Sequence, residues 1–102
     1  MSKVVDDETC IQRLVVNEGM RLKPYKCPAG FKTIGIGRNL ETNPLTPEEK
    51  AFIGHNVDEG INAEQAFFLC RRDIAKVKSE LDRCLPWWRD LNQDRQFVMI
   101  DL

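Results

Sequence analysis

Leu14-Val15-Val16-Asn17-Glu18-Gly19-Met20-Arg21-Leu22-Lys23-Pro24-Tyr25 is followed, after seven residues, by Thr33-Ile34-Gly35-Ile36-Gly37. The first stretch closes a helix. Ile11, Leu14, Val15 and Glu18 fall at i, i+3, i+4 and i+7 and share one helical face. Asp6 or Asp7 can cap the start, and Gly19 is a natural terminator. The pattern predicts a helix over about 7–18 whose apolar stripe ends in a carboxylate. From residue 22 to residue 40, Pro24, Pro28, Gly30, Gly35 and Gly37 exclude a helix. Phe31 to Ile36 reads as a strand, with Cys27-Pro28-Ala29-Gly30 as the turn before it. A helix followed by a small, twisted antiparallel sheet sets the fold class as α+β.

The remainder extends this with helices. Asn39 to Thr46 reads as a loop. Thr46-Pro47-Glu48-Glu49 joins a capping Thr, a Pro at the first helical position and a Glu at the third, opening a short helix that ends near Gly54. Asn62-Ala63-Glu64-Gln65 is a second capping box. After it, Phe67, Cys70, Ile74, Val77, Leu81 and Cys84 alternate spacings of three and four, which predicts one long amphipathic helix over about 63–83. Its polar face carries Arg71, Lys76, Lys78, Glu80 and Asp82. The seam spans fewer than three heptads, so it reads as core and not as a coiled-coil partner site. Leu85-Pro86-Trp87-Trp88 breaks this helix, and another begins near Asn92.

Composition narrows the function classes. The 102 residues are 42% hydrophobic and 30% charged, which excludes a disordered tail or a collagen-like repeat. No apolar run approaches the roughly 20 residues that span a bilayer, so stable membrane insertion is not expected. No signal peptide is evident at Met1 to Asp7, so synthesis in a cytoplasm is expected. Lys and Arg number 15 against 16 Asp and Glu, a balance that gives no nucleic-acid signal. The distribution is less even. From Gly19 to Leu40 there is no acid but five bases: Arg21, Lys23, Lys26, Lys32 and Arg38. That is either a local positive field favouring an anionic substrate or an ordinary solvated hairpin face. The four cysteines show no short paired spacing and His55 is the only histidine, so no metal is implied and free thiols are the default.

Glu18 is the candidate for chemistry. At a helix end it can be exposed and idle. Beside apolar surface, however, a carboxylate loses solvation, which favours its protonated form. A proton-holding acid is what cleavage of an acetal oxygen requires.

The Asn17-Glu18-Gly19 segment and Thr33-Ile34-Gly35-Ile36-Gly37, at this separation, resemble the phage-type lysozymes, glycoside hydrolase family 24. The close resemblance covers about residues 11–40. A weaker one continues through the long helix, Leu85 to Leu91 and the final helix. It implies a lysozyme-like fold: an N-terminal lobe over 1–61 with one helix and a small sheet, a connecting helix over 62–84, and the start of a helical lobe over 85–102. It implies a peptidoglycan hydrolase without a cofactor, acting on the β-1,4 bond between N-acetylmuramic acid and N-acetylglucosamine in glycan strands during host lysis. Carried over residue by residue, Glu18 matches the general acid. Cys27 matches the second catalytic position, usually Asp, and Thr33 the threonine that helps hold the attacking water.

Cys27 departs from the usual pair of carboxyl groups around the scissile bond. Some family members carry Cys here. A thiolate can act as base or nucleophile, and Lys23, Lys26 and Lys32, close in sequence, are expected to lower its pKa. The alternative is an inert thiol and a non-catalytic, lysozyme-derived binding or regulatory protein. A thiol sensor using Cys27 is a further alternative, though no resolving cysteine is close in sequence. Cys10, Cys70 and Cys84 read as structural. Arg38 reads as positive charge near the cleft. Tyr25, Phe31, Trp87 and Trp88 are candidates to line a sugar site, with core packing favoured for the two Trp. Family members continue past this point with further helices. The sequence therefore predicts an exposed apolar patch of Phe97, Val98, Ile100 and Leu102, which marks aggregation, self-association or a partner chain.

Overall fold

The computed structural model describes residues 4–101. Helix α1 spans Asp7–Glu18; the side chain of Asp6 accepts from the Thr9 amide, and Gly19, at φ 76°, ends the helix with its N–H on the Val15 carbonyl. The sheet follows at once: β1 (Arg21–Lys26), β2 (Lys32–Gly35) and β3 (Arg38–Asn39), in the order β1-β2-β3. Both pairings are antiparallel, with Arg21 opposite Gly35, Tyr25 opposite Thr33, and Ile34 opposite Arg38. An irregularity in register falls between Arg21 and Tyr25, where Pro24 cannot donate to the ladder. Arg38 and Asn39, expected within or beside a loop, form the short third strand, and the loop proper begins after them.

Helix α2 (Pro47–Ile53) is capped by the reciprocal Thr46–Glu49 box and closed by Gly54. A short 3-10 turn at Val57–Glu59 leads to α3 (Ala63–Cys84), opened by the Asn62–Gln65 box. A second 3-10 turn, Pro86–Asp90, precedes α4 (Gln93–Asp101). This is an α+β, lysozyme-like arrangement of helices around a small antiparallel sheet.

Helix α3 organises the core with two faces. The expected seam (Cys70, Ile74, Val77, Leu81) packs with Val5, Cys10, Ile11, Ile36, Trp88, Phe97 and Ile100. A second face, carrying Ala66 and Leu69, packs with Ile34 of β2, Ile53 of α2 and Ile61 just before α3. The sequence reading assigned only the first face. Cys84 departs from the seam: it is exposed, because the last turn of α3 runs beyond the packed cluster.

The two tryptophans part company. Trp88 is fully buried and donates Nε1–H to Asp82 at 2.8 Å, while Trp87 is half exposed. Successive residues in a tight turn point in different directions, so only one of them meets the core. The expected apolar patch on α4 also contracts. Phe97 and Ile100 are buried against α3 and the chain before α1, because their i, i+3 spacing turns both inward. Val98, on the opposite face, stays exposed, and Leu102 lies outside the described residues. Gln96 is buried beside them and binds the Val5 amide and the Arg89 and Leu91 carbonyls, which ties the segment before α1 to α4.

Arg38 is buried, at 3% exposure. Its guanidinium binds Glu49 through two hydrogen bonds, at 2.8 and 3.1 Å, and lies 3.0 Å from Asp73. It also donates to the Asn43 and Pro44 carbonyls. The expected cleft charge is thus a structural group joining β3, the following loop, α2 and α3. Replacing Arg38 with Met leaves Glu49 buried with fewer partners. Loss of one member of a buried, hydrogen-bonded ion pair costs about 3–5 kcal/mol. Urea unfolding of Arg38→Met is expected to show a loss of that order, against a change of under about 0.5 kcal/mol for Lys50→Met on the surface.

Candidate active site

Glu18 is the last residue of α1, and its position depends on a glycine. The hairpin between β2 and β3 turns through Ile36 and Gly37, and Gly37 has φ +75°. A Cβ built on Gly37 would lie 3.4 Å from both Cγ and Oε2 of Glu18. Glycine therefore meets two demands: a left-handed backbone and the close approach of a carboxylate. Glu18 is exposed and makes no side-chain hydrogen bond or ion pair among the described residues. The expectation of a desolvated carboxylate is corrected. At the end of the helix the residue is exposed, with one side of its carboxylate against Gly37.

That head group stands on the rim of a cavity of about 200 Å³. Leu14, Ile36, Ile74, Val77 and Ile100 give it apolar walls, and Asp73 and Asp101 share the lining with Glu18. An apolar hollow with a few convergent polar groups is the usual form of a small-molecule site.

Cys27 and Thr33 stand at the other end of the β1–β2 pair. The Cys27 amide donates to the Phe31 carbonyl at 2.9 Å, and the Gly30 amide donates to the Cys27 carbonyl at 2.8 Å. This closes the turn so that the backbone amides of Phe31, Ala29 and Gly30 face the Cys27 thiol. The Phe31 amide is the main reason the thiol pKa falls below its ordinary value; partial burial opposes it, and the Ala29 and Gly30 amides and the Thr33 hydroxyl assist. The lysines expected to do this are not among its causes. Lys23 and Lys26 are exposed and Lys32 pairs with Asp58, whereas the amides are fixed by the turn. Thr33 is buried and donates to the Phe31 carbonyl at 3.0 Å, which holds the hydroxyl beside the thiol.

The structure thus brings Cys27 and Thr33 together and sets Glu18 at the opposite end of the same strand pair. No hydrogen bond joins Glu18 to either among the described residues, and neither lines the Glu18 cavity. Of the other candidates, Tyr25 is covered by the Arg21 guanidinium, 4.9 Å from the ring centroid, and Phe31 is 39% exposed at the turn. Among the described residues no group of three or more His, Cys, Asp or Glu is arranged to hold a metal ion. No described helix is long and apolar enough to cross a membrane.

Asp73 was not singled out by the sequence, being one charge among many on α3. Burial pushes its carboxyl up to about 6, although Arg38 and the Asn43 amide (2.9 Å) pull the other way. It borders both the Glu18 cavity and a second hollow lined by Arg38, Arg72 and Lys76.

A helix that delivers a carboxylate to a glycine hairpin, backed by a long central helix, defines a lysozyme-type scaffold. A family model described as phage lysozyme matches residues 16–101, and the chain belongs to that family. The matched span includes Glu18, Cys27 and Thr33, and it bears out the resemblance carried by Asn17-Glu18-Gly19 and Thr33 to Gly37. Membership brings the general class with it: a peptidoglycan-hydrolysing lysozyme, a glycoside hydrolase in reaction type. Comparison with curated proteins returns no match.

Two outcomes follow from the shifted groups. Cys27 is expected to react with iodoacetamide near pH 7.5 faster than a free model thiol, and Thr33→Val to slow it, as read by mass spectrometry of the Cys27 peptide. The buried Cys10 and Cys70, both with raised pKa, should stay unmodified in the folded protein. Asp73 binds its proton more tightly folded than unfolded, so its contribution to stability is complete below 3.8 and is lost as pH rises toward about 6. Across that window the parent should lose stability relative to Asp73→Asn in urea unfolding. A constant difference between the two would refute this assignment.

Proposed function

We propose that the chain is an N-acetylmuramidase that cleaves the β-1,4 bond between N-acetylmuramic acid and N-acetylglucosamine, and that it serves phage lysis of a bacterial host. The observation that carries this is a carboxylate, Glu18, with no hydrogen-bond or ion-pair partner among the described residues, on the rim of an apolar-walled cavity in a chain of the phage lysozyme family. In this reading Glu18 protonates the leaving oxygen as the glycosidic bond breaks. Cys27, held toward its thiolate form by backbone amides, acts with Thr33 on the water or on the cationic sugar centre. Residues 1–61 form the lobe bearing these groups, 62–84 the connecting helix, and 85–102 the start of a helical lobe. The protein reaches the wall from the host cytoplasm through a membrane lesion, and its partner is the peptidoglycan strand itself.

A second reading is favoured by the thiol at Cys27, where a carboxylate is usual: a lysozyme-like protein that binds walls, or a regulatory partner, without cutting. One assay separates them. Loss of a general acid costs about 10²–10⁴-fold, so Glu18→Gln is expected to lose wall-clearing activity by that factor while keeping its far-ultraviolet circular dichroism. Equal clearing by parent and Glu18→Gln removes Glu18 from the mechanism. Wall binding by both with clearing by neither establishes the second reading.

A further inference from the structure

The hairpin beside Glu18 is anchored on two sides. Ile36 enters the core with Ile11 and Ile74. Arg38, one residue after Gly37, is gripped by Glu49 of α2. Between and beside these anchors stand Gly35 and Gly37, both at positive φ (68° and 75°). Glycine restricts its own backbone least, so this turn takes its shape from what anchors it. Gly37 in turn bounds the place of Glu18, because a Cβ there would lie 3.4 Å from Oε2 of the carboxylate. Two anions hold Arg38, and they differ in grip. Asp73 meets one terminal nitrogen, Nη1, at 3.0 Å. Glu49 takes both, one carboxylate oxygen on each, at 3.1 and 2.8 Å. A two-pronged pair of this kind sets the plane and direction of a guanidinium, which a single contact does not.

Glu49 is itself rigidly held and stands away from the chemistry. It is 2% exposed, and it borders the second hollow with Arg38 and Asp73 but does not line the Glu18 cavity. Its carboxylate also accepts from Arg72 at 3.0 Å and from the Thr46 amide at 2.8 Å. We propose that Glu49 is a positioning residue for the reaction: by fixing the Arg38 guanidinium it fixes the Gly37 turn against which the Glu18 carboxylate lies. On turnover this rests on the muramidase reading of Glu18; on position it does not. Glu49 touches no substrate and moves no proton. A misplaced acid slows the bond-breaking step without releasing the bound strand, so the deficit belongs in kcat and not in KM.

Glu49→Gln tests this, because it keeps the side-chain shape but turns one acceptor toward Arg38 into a donor, and a guanidinium only donates. At a temperature where circular dichroism shows each protein folded, kcat for clearing purified walls is expected to fall on the order of 10–100-fold, with KM little changed. The nuclear magnetic resonance signals of the Gly37 amide and the Glu18 carboxyl carbon should shift in the same protein. Glu49→Asp, which keeps the charge at shorter reach, should lie between parent and Glu49→Gln. Ile53→Ala provides the comparison, since it weakens α2 through its apolar cluster and leaves the ion pairs in place. A merely structural Glu49 predicts that Ile53→Ala, at equal loss of urea stability, loses as much kcat; a positioning Glu49 predicts that it keeps kcat and both signals. Parent-like kcat in Glu49→Gln, an equal kcat loss in Ile53→Ala, or unmoved Gly37 and Glu18 signals each overturn the proposal. If Glu49→Gln does not fold, Glu49→Asp decides on the same terms. The muramidase reading fails separately, by undiminished wall clearing in Glu18→Gln, and the two signals then still decide whether Glu49 places Glu18.

Discussion

The buried ion pair between Arg38 and Glu49 fixes how the sheet meets the helices. Arg38 is the first residue after the hairpin that presses Gly37 against Glu18, so anything that moves Arg38 moves that hairpin. Glu49 binds it through both carboxylate oxygens, takes a further bond from Arg72 on α3 and one from the Thr46 amide at the start of α2. Burial alone would raise the Glu49 pKa; Arg38, the Thr46 amide and Arg72 outweigh burial and lower it. Such a network is a poor source of net stability compared with apolar packing, yet it tolerates no missing member. Its value is geometric. It sets β3, α2 and α3 in one register, and no buried side-chain polar atom among the described residues is left without a partner.

The same helix face that receives Arg38 also shapes the cavity. Asp73 lies one residue before Ile74, so a single turn of α3 supplies both the polar partner of Arg38 and an apolar wall facing Glu18. Trp88 supports the other end of this helix. It fills the space under Ile74 and Phe97 and satisfies its indole N–H on Asp82, whose carboxyl is pulled down to about 2 mainly by the Arg89 hydrogen bonds. The walls around Glu18 are therefore set by core packing, and the carboxylate is placed by a rigid helix end and not by a loop.

Much of this was legible because local signals agreed with one another. The capping boxes at Thr46 and Asn62 and the stop at Gly19 mark helix ends by hydrogen-bond chemistry that involves only neighbours. What was not legible depended on neighbours distant in sequence. Arg38 looked like one cation among five until Glu49 and Asp73 were seen to enclose it. Glu18 looked desolvated because its helix face is apolar, but exposure at a helix end is decided by what lies beyond the end. Ala66 and Leu69 escaped notice because one clean seam on α3 concealed a second contact face. Phe97 and Ile100 looked like an open patch because their cover, Val5 and the Cys10–Ile11 segment, comes from the far end of the chain.

Cys27 shows how a turn can lower a thiol pKa without a fixed charge beside it. A carboxylate at this place would be negative near neutral pH without help, whereas a thiol needs stabilisation of its anion. The three amides that face Sγ belong to the tight Cys27–Phe31 turn, whose shape Gly30 permits at φ +88°. Their direction is set by the backbone hydrogen bonds of the turn and owes nothing to mobile side chains, so the lowering of the thiol pKa is expected to survive changes in ionic strength that would screen the neighbouring lysines. Cys27, its turn and Thr33 are therefore one unit, in which the backbone amides lower the thiol pKa from its ordinary value.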